Sequence, residues 1–329
     1  MSTPLLEVSN LKVNFVVGKR ELTAVENVSF RVEQGKTLGI VGESGCGKSV
    51  TATSIMRLLP NGTGVIADGS IMFNGRDLTK LSDKEMCDVR GNEISMIFQD
   101  PMTALNPVYT IGTQLIEMIR AHNKKISKKD AHAKAVEMLK KVGIPLPEQR
   151  MKEFPHQLSG GMRQRVMIAM ALSTNAKMLI ADEPTTALDV TIQAQILELI
   201  EELQKSLNMS VILITHDMGV VSDVADDVLI MYAGETVEYG DVASIFHHPL
   251  HPYASGLLKS IPRLDEDAET LYTIPGTVPS LSEMPSGCRF STRCPECSER
   301  CRKEKPPLFE VDGQQVRCWK YAEGGTGNG

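Results

Sequence analysis

The sequence lacks the features that would place it inside a membrane or on nucleic acid. Its apolar stretches, such as Val211–Ile214, are far shorter than the ~20 residues that a membrane-spanning helix needs. It contains no long run of Lys or Arg, and its net charge is −6. The first ten residues lack the basic region and apolar core of an export signal. We therefore expect a soluble, cytosolic protein with no nucleic acid as a ligand.

Length and cysteine content limit the architecture further. A chain of 329 residues exceeds the usual single-domain size of roughly 100–200 residues, so we expect one large domain with an appendage. Of seven cysteines, five crowd towards the C-terminus: Cys288, Cys294, Cys297, Cys301 and Cys318. Because thiols of cytosolic proteins stay reduced, this group favours metal ligation over disulfides.

The apolar pattern predicts an α/β fold. Residues 1–40 alternate apolar and polar positions, which predicts antiparallel strands, and Thr37–Val41 predicts a buried strand followed by a helix over Ser49–Leu59. Residues 100–172 predict a helical subdomain. The apolar segments Met178–Ala181 and Val211–Ile214, separated by an amphipathic helix, predict a buried parallel sheet.

The sequence beyond residue 240 is rich in proline, which predicts a loop-rich C-terminal region. We place the main domain at residues 1–260 and a C-terminal extension at residues 261–329.

A glycine-rich segment carries the strongest chemical signal. Gly42-Glu-Ser-Gly-Cys-Gly-Lys-Ser49 fits the pattern G-x-x-x-x-G-K-[ST], in which backbone N–H groups surround phosphate oxygens. The alternative is a chance glycine-rich turn, but the predicted flanking strand and helix favour a P-loop NTPase core that binds Mg·ATP. The expected nucleotide contacts are Gly42, Ser44, Gly45, Cys46, Gly47, Lys48, Ser49 and Val50. At Cys46 the helix N-terminus should also favour the thiolate.

Polar side chains at strand ends supply candidate catalytic groups. Asp182 and Glu183 follow a buried strand, where Asp182 could hold Mg²⁺ with Ser49 and Glu183 could orient the attacking water. His216 ends the next strand and could donate to the γ-phosphate. Gln99 follows another short strand and could reach the metal or the water. The alternatives are an ordinary strand-ending acidic pair and a structural histidine.

A second helix start could bind an anion. Leu158-Ser159-Gly160-Gly161-Met162 opens a predicted helix, and its N–H groups could contact the γ-phosphate of nucleotide held by another subunit. The alternative is a plain N-capped helix.

These motifs, in this order, resemble the ATP-binding subunits of ABC transporters over most of residues 1–260. The resemblance implies an ATPase with an antiparallel β subdomain and a helical subdomain. It implies that Phe15 stacks on adenine, that Ala187-Leu188-Asp189 crosses a dimer interface, and that the Gln99 region contacts membrane subunits.

Within the family the chain resembles importers of the dipeptide, oligopeptide and nickel class. The resemblance rests on the segments from Phe98 to Pro107, Pro155 to Met162 and His251 to Tyr253. It implies a second, different ATP-binding subunit, with a homodimer as the alternative, two permease subunits and an extracytoplasmic solute-binding protein. It places the chain peripherally at the cytoplasmic face of the membrane, and Met162 resembles the D-type member of the pair.

The cysteine spacing resembles the extension of some of these subunits. There the resemblance implies a [4Fe-4S] cluster on Cys288, Cys294, Cys301 and Cys318. Structural zinc is the alternative, and Cys297 offers a further thiolate.

Other functions fit less well. An ABC-type ATPase acting on nucleic acid or ribosomes would carry a basic face, a coiled-coil insertion or tandem cassettes, and the sequence shows none of these. An iron–sulfur redox or sensing protein would leave Glu183 without a role.

Overall fold

The computed structural model describes residues 3–99, 104–174, 176–186, 188–261 and 272–322. They form two compact units, Met1–Lys80 with Leu213–Gly329 and Leu81–Ile212. The described part of the predicted extension, residues 272–322, lies in the first unit together with the N-terminal strands. The proposed boundary at residue 261 stays a prediction.

The elements follow one another along the chain as a mixture of strands and helices. They are β1 (Leu6–Val17), β2 (Arg20–Val32), β3 (Thr37–Val41), α1 (Lys48–Ile55), β4 (Gly64–Phe73), β5 (Arg76–Asp77), α2 (Asp83–Val89), β6 (Ile94–Ile97), α3 (Ile111–His122), α4 (Lys128–Lys141), α5 (Pro147–Arg150), α6 (Gly160–Leu172), β7 (Met178–Asp182), α7 (Val190–Leu207), β8 (Ser210–Thr215), α8 (Met218–Val224), β9 (Asp227–Tyr232), β10 (Glu235–Asp241), α9 (Val242–His247), α10 (Pro252–Lys259), α11 (Glu299–Lys303), β11 (Phe309–Val311) and β12 (Gln314–Val316). Short 3-10 helices cover Leu78–Lys80, Pro155–Gln157 and Trp319–Tyr321.

The first unit contains the predicted antiparallel strands. β1 lies between β2 and β4, with Leu6 opposite Val32 on one side and Phe73 on the other. Apolar residues of β1 such as Leu6 and Val8 are buried, while Glu7 between them is exposed. The alternation in the sequence therefore marks one face that packs and one that meets water.

The same unit holds a second set of paired strands. β3 runs parallel to β9, β9 pairs with β10, and β10 pairs with β12, which in turn pairs with β11. The strands β11 and β12 were not predicted, since three-residue strands have too little periodicity to detect. They join the C-terminal residues to the sheet of the first unit.

The helix after the glycine-rich segment is shorter than predicted. It spans Lys48–Ile55 and does not reach Leu59. Arg57, just beyond its end, has a φ of 48°, which lies in the left-handed region. A residue in that region cannot continue a right-handed helix, so the helix ends there.

The second unit holds the predicted helical subdomain and the parallel strands β6 and β7, in which Ile94 is opposite Met178. Side-chain oxygens cap the helices α3, α4 and α6 at Thr110, Ser127 and Ser159. Buried residues on α7 form one stripe, comprising Ile196, Leu199, Ile200 and Leu203. Within the described parts of the chain, no helix is both long and apolar enough to cross a membrane.

Packing around Gly39 gives a first testable expectation. A Cβ at this position of β3 would lie 2.7 Å from Cγ1 and 3.2 Å from Cγ2 of Val221 on α8. Gly39→Ala should therefore destabilise the fold by about 1–3 kcal/mol through overpacking. Chemical denaturation measures the free energy of unfolding.

The matched variant Val221→Ala removes both opposing methyl groups. The double variant should be more stable than the sum of the single effects predicts, by about 0.5–3 kcal/mol. Strict additivity would contradict the packing described here.

Candidate nucleotide site

The predicted phosphate loop turns through three glycines with positive φ. Gly42, Gly45 and Gly47 have φ values of 152°, 78° and 102°. A Cβ on Gly42 would lie 2.2 Å from the carbonyl oxygen of Met231 on β9. The loop therefore lies directly against the end of this strand, and only a residue without a side chain allows that approach.

The lysine of the loop is held by the loop itself. Lys48 Nζ donates to the carbonyl oxygens of Gly42 at 2.7 Å and Glu43 at 3.2 Å. The side chain is buried, and Ser44 and Gly45 are exposed at the tip of the loop. Ser49 and Val50 are half-buried in the first turn of α1. The ammonium is thus already placed beside the backbone that would surround a phosphate.

The thiol of Cys46 differs from the prediction. The side chain is completely buried, and this burial raises its pKa, although the nearby Lys48 ammonium acts in the opposite direction. The expected thiolate is therefore wrong, because desolvation outweighs the neighbouring positive charge. The backbone of Cys46 does take part in the loop, since its N–H donates to Glu43 and its carbonyl accepts from Gly234.

Two further predicted residues lie in the first unit. Phe15 is half-buried near the end of β1, and its ring lies beside Gly64, where a Cβ would be 3.1 Å from Phe15 Cε1. His216 is exposed directly after β8. Their contacts with adenine and with the γ-phosphate stay predictions.

In the second unit Glu183 and Gln99 lie in contact, just after the parallel strands β7 and β6. Gln99 Nε2 and Thr186 Oγ1 each donate to Glu183 Oε2 at 2.9 Å. Glu183 has a φ of 47°, an unusual conformation for this residue type, and Asp182 before it is buried at the end of β7. The carboxylate is thus held by two donors at a strained turn, as active-site residues often are.

The role of Thr186 was not predicted. Pro184 could have indicated it, because proline favours a turn after the preceding residue, here Glu183. The structure has this turn, in which the N–H of Thr186 donates to the carbonyl of Glu183. Such a turn returns the hydroxyl of Thr186 to the carboxylate three residues earlier.

The second predicted anion site has a structural cap. Ser159 Oγ accepts from Met162 N–H at 3.3 Å, and a Cβ on Gly161 would lie 3.0 Å from Cγ2 of Ile192 on α7. Gly160 has more room, with Leu188 Cδ2 at 3.8 Å. Asp189 caps α7 by accepting from Ile192 N–H at 3.0 Å. Ala187 of the expected interface loop and residues 100–103 of the segment after Gln99 lie outside the described residues.

The four cysteines of the predicted cluster line one cavity of about 340 Å³, together with His251, Phe290 and Trp319. Burial raises the pKa of Cys288 to about 12 and of Cys294 to about 11. Cys297 is not part of this lining. Within the described ranges, no three His, Cys, Asp or Glu side chains are arranged as a metal site. The four thiols therefore line one cavity, but they are not arranged like side chains that ligate a metal ion.

Two family models match this chain. The model of ABC transporters matches residues 25–186, and the model of the oligopeptide/dipeptide transporter C-terminal region matches residues 237–301. The second match begins ahead of the predicted boundary at residue 261.

Curated proteins match nearly the whole chain. The oligopeptide transport ATP-binding protein AppD of Bacillus subtilis (strain 168) is 53% identical over 327 residues, which are 99% of each chain. The chain belongs to the ATP-binding proteins of ABC transporters. The dipeptide transport ATP-binding protein DppD of the same organism is 54% identical over 316 residues, 96% of this chain and 94% of the relative.

A solved structure supports the fold and the activity. The dimeric ATP-binding cassette MJ0796, bound to ADP and Pi in a post-hydrolysis state, has a TM-score of 0.64 and 27% identity. The similarity covers 72% of this chain and 98% of that one. The chain is thus an ATPase of the ABC class that uses ATP and Mg²⁺, on a P-loop NTPase core.

Burial of Cys46 leads to a labelling experiment. Alkylation needs the thiolate, and the raised pKa means that this form appears only at more alkaline pH than for an ordinary thiol. At pH 7–8 iodoacetamide should modify the exposed Cys87 and spare Cys46, with or without ATP. Peptide mass spectrometry gives both rates in one sample. Equal rates at the two positions would contradict the buried thiol.

Proposed function

We propose that this chain powers the import of dipeptides or oligopeptides across a membrane. The proposal rests mainly on the match of residues 237–301 to the C-terminal region of oligopeptide/dipeptide transporters, since that region is absent from the general ABC transporter match. Relatives named for oligopeptide and dipeptide transport are about half identical over nearly the full chain.

The nucleotide would be held by the loop from Gly42 to Ser49. Lys48 would move its ammonium from the loop carbonyls to the β- and γ-phosphates, and Phe15 would stack on adenine. Ser49, Asp182 and Gln99 supply the oxygen ligands that Mg²⁺ prefers. Bound Mg²⁺ would neutralise the charge that develops on the phosphates.

Glu183 would act as the general base. Its Oε2 is fixed by the Gln99 amide and the Thr186 hydroxyl, so the carboxylate has a defined orientation toward water. His216 would donate to the γ-phosphate. Gln99 lies exposed just after β6. Contact with a permease at this position would alter the hydrogen bond from Gln99 to Glu183.

The base assignment can be tested with Glu183→Gln. An amide keeps the shape but cannot accept the proton, so ATP turnover should fall by about 10²–10⁴-fold while nucleotide binding persists. Turnover by phosphate release and affinity by titration with a fluorescent nucleotide separate the two effects.

A matched control is Glu201→Gln on α7, where an exposed carboxylate pairs with Lys205 of the same helix. Its turnover should equal that of the unmodified chain, because surface pairs of this kind contribute little. Full turnover in Glu183→Gln would remove Glu183 from the mechanism.

Closure of the site would need a second subunit. The N–H groups at Ser159, Gly160 and Gly161, with the neighbouring Asp189, would face nucleotide bound to a different ATP-binding subunit; a homodimer is the alternative. Two permease subunits and an extracytoplasmic solute-binding protein would complete the importer. The chain would then lie peripherally at the cytoplasmic face of the membrane.

Uptake by a deletion strain tests the cargo. Strains lacking this chain should fail to accumulate labelled di- or oligopeptides, and the Glu183→Gln gene should not restore uptake, whereas the unmodified gene should. Loss of nickel uptake with normal peptide uptake would point to the alternative cargo.

The cysteine cavity fits a [4Fe-4S] cluster in donor number and type. Four thiols, Cys288, Cys294, Cys301 and Cys318, line it, and thiolates are the usual ligands of such clusters. Cluster binding would have to remove the thiol protons, which burial of the cysteines favours. The four sulfur atoms would also have to move closer together around the cluster. Zinc is the alternative with the same donors.

Anaerobic purification tests the cluster. The protein should be brown with broad absorption near ~400 nm and should contain iron and sulfide. Cys301→Ser should lose the colour, and the matched Cys297→Ser should keep it, because Cys297 does not line the cavity. Colourless protein with one zinc per chain would support zinc instead, and metal-free protein would reject both.

A further inference from the structure

The phosphate loop is tied to the C-terminal region by one buried arginine. Arg293 Nη1 and Nη2 donate to Glu43 Oε2 and Oε1 at 2.5 and 3.0 Å. Glu43 is the second residue of the glycine-rich motif, directly after Gly42. Both residues belong to the same compact unit although 250 positions separate them. A two-bond pair of this kind fixes orientation as well as charge.

Arg293 has little freedom to move. Its side chain is 3% exposed. Its Nε donates to the carbonyl of Pro275 at 2.7 Å, and Nη2 also donates to the carbonyl of Ile274 at 3.2 Å. The guanidinium therefore uses several of its donors on fixed backbone oxygens and presents the remainder to Glu43.

A second contact holds the backbone of the same glutamate. The N–H of Glu43 donates to Tyr253 Oη at 2.9 Å. Tyr253 packs against Tyr232 and Phe290, with ring centroids 4.8 and 5.3 Å away, and all three side chains are almost completely buried. Phe290 and Arg293 lie on one tight turn, in which the N–H of Arg293 donates to the carbonyl of Phe290.

Glu43 is thereby engaged through all of its polar groups. Its carbonyl accepts from Cys46 N–H at 3.3 Å and from Lys48 Nζ at 3.2 Å, within the loop itself. The conformation of the loop thus depends on a residue that is held from outside the loop. A shift of Glu43 would move the groups that surround the phosphates.

Charge gives a second reason for the pairing. A carboxylate within a loop that binds the phosphates of ATP would repel them, most strongly where water is excluded. The buried Arg293 guanidinium compensates this charge. Removing the arginine would leave the carboxylate beside the nucleotide.

An ordinary stabilising ion pair is the simpler explanation of this contact. Such a pair would explain burial and bidentate geometry, but the chain places it on the phosphate loop, where its loss affects both shape and charge. A purely structural pair predicts that loss of Arg293 lowers the melting temperature without a selective loss of nucleotide affinity. A positioning role predicts that nucleotide affinity falls selectively.

We propose that Arg293 is a positioning residue for ATP: through Glu43 it fixes the phosphate loop and compensates the one carboxylate that the loop motif contains. The inference rests on the proposed assignment of Gly42–Ser49 as the phosphate site. The segment of residues 288–301 would then support nucleotide binding through Glu43, in addition to lining the cysteine cavity.

The experiment compares affinities for a fluorescent ATP analogue with Mg²⁺ and melting temperatures without nucleotide, in the full chain. Arg293→Met should raise the Kd by about 10- to 100-fold. Arg293→Lys should fall between this variant and the unmodified chain, because an ammonium keeps the charge and loses the paired geometry. The effect should diminish at high salt, since screening weakens the repulsion between Glu43 and phosphate.

Adding Glu43→Gln to Arg293→Met provides the decisive comparison. Removing the uncompensated carboxylate should recover much of the lost affinity, although it creates no new bond to the arginine position. A purely structural pair predicts no such recovery. If Arg293→Met does not fold, Arg293→Lys and Glu43→Gln alone still measure the charge and geometry effects.

The matched control is Arg317→Met. Arg317 is also buried in this unit, and its guanidinium donates to the carbonyls of Thr236, Pro306 and Asn27, away from the loop. The Arg317→Met variant should have a lower melting temperature without a selective rise in the Kd for the ATP analogue. Equal changes in Kd for the two arginine variants, or an unchanged Kd in Arg293→Met, would overturn the inference.

Lys48→Ala separates this result from failure of the proposed site. If Lys48→Ala abolishes binding and Arg293→Met does not weaken it, the loop binds nucleotide and Arg293 has no positioning role. If Lys48→Ala binds as the unmodified chain does, the phosphate site itself is misassigned and the inference fails with it.

Discussion

The close approach of Gly42 to the carbonyl of Met231 is the constraint on which the proposed nucleotide site depends. It brings the loop backbone against the end of β9, so this strand limits where the loop can lie. The loop is then closed by its own contacts, from Lys48 to the Gly42 and Glu43 carbonyls. A site built on such a support needs little reorganisation when a phosphate arrives.

Glu183 shows the same principle in the second unit. A left-handed backbone at a glutamate is unfavourable by itself, and it persists because the surrounding turn and two side-chain donors determine it. The donor from Gln99 is the more exposed of the two. The orientation of the Glu183 carboxylate therefore depends partly on an exposed side chain, while the turn from Glu183 to Thr186 keeps the residue near the end of β7.

The sequence predicted features that depend on neighbours along the chain. Alternation located β1 and β2, the glycine spacing located the loop, and Ser159 marked a helix start that the structure confirms. Features that depend on distant residues were not predicted or were wrong. Burial of Cys46 comes from packing around the loop, and the partner of Glu43 lies 250 positions away. No local pattern contains that information.

These distant contacts change what the C-terminal region is. The composition of the sequence beyond residue 240 predicted an irregular, loop-rich region. In the structure β12 pairs with β10, and the side chain of Arg289 contacts Glu26 and Glu235. Each buried arginine would be unfavourable without partners, and those partners lie in the strands and loop of the ATP-binding core. Removing either partner would therefore leave a buried charge without compensation. The described part of this region thus shares one compact unit with the glycine-rich loop, and Arg293 connects the two directly.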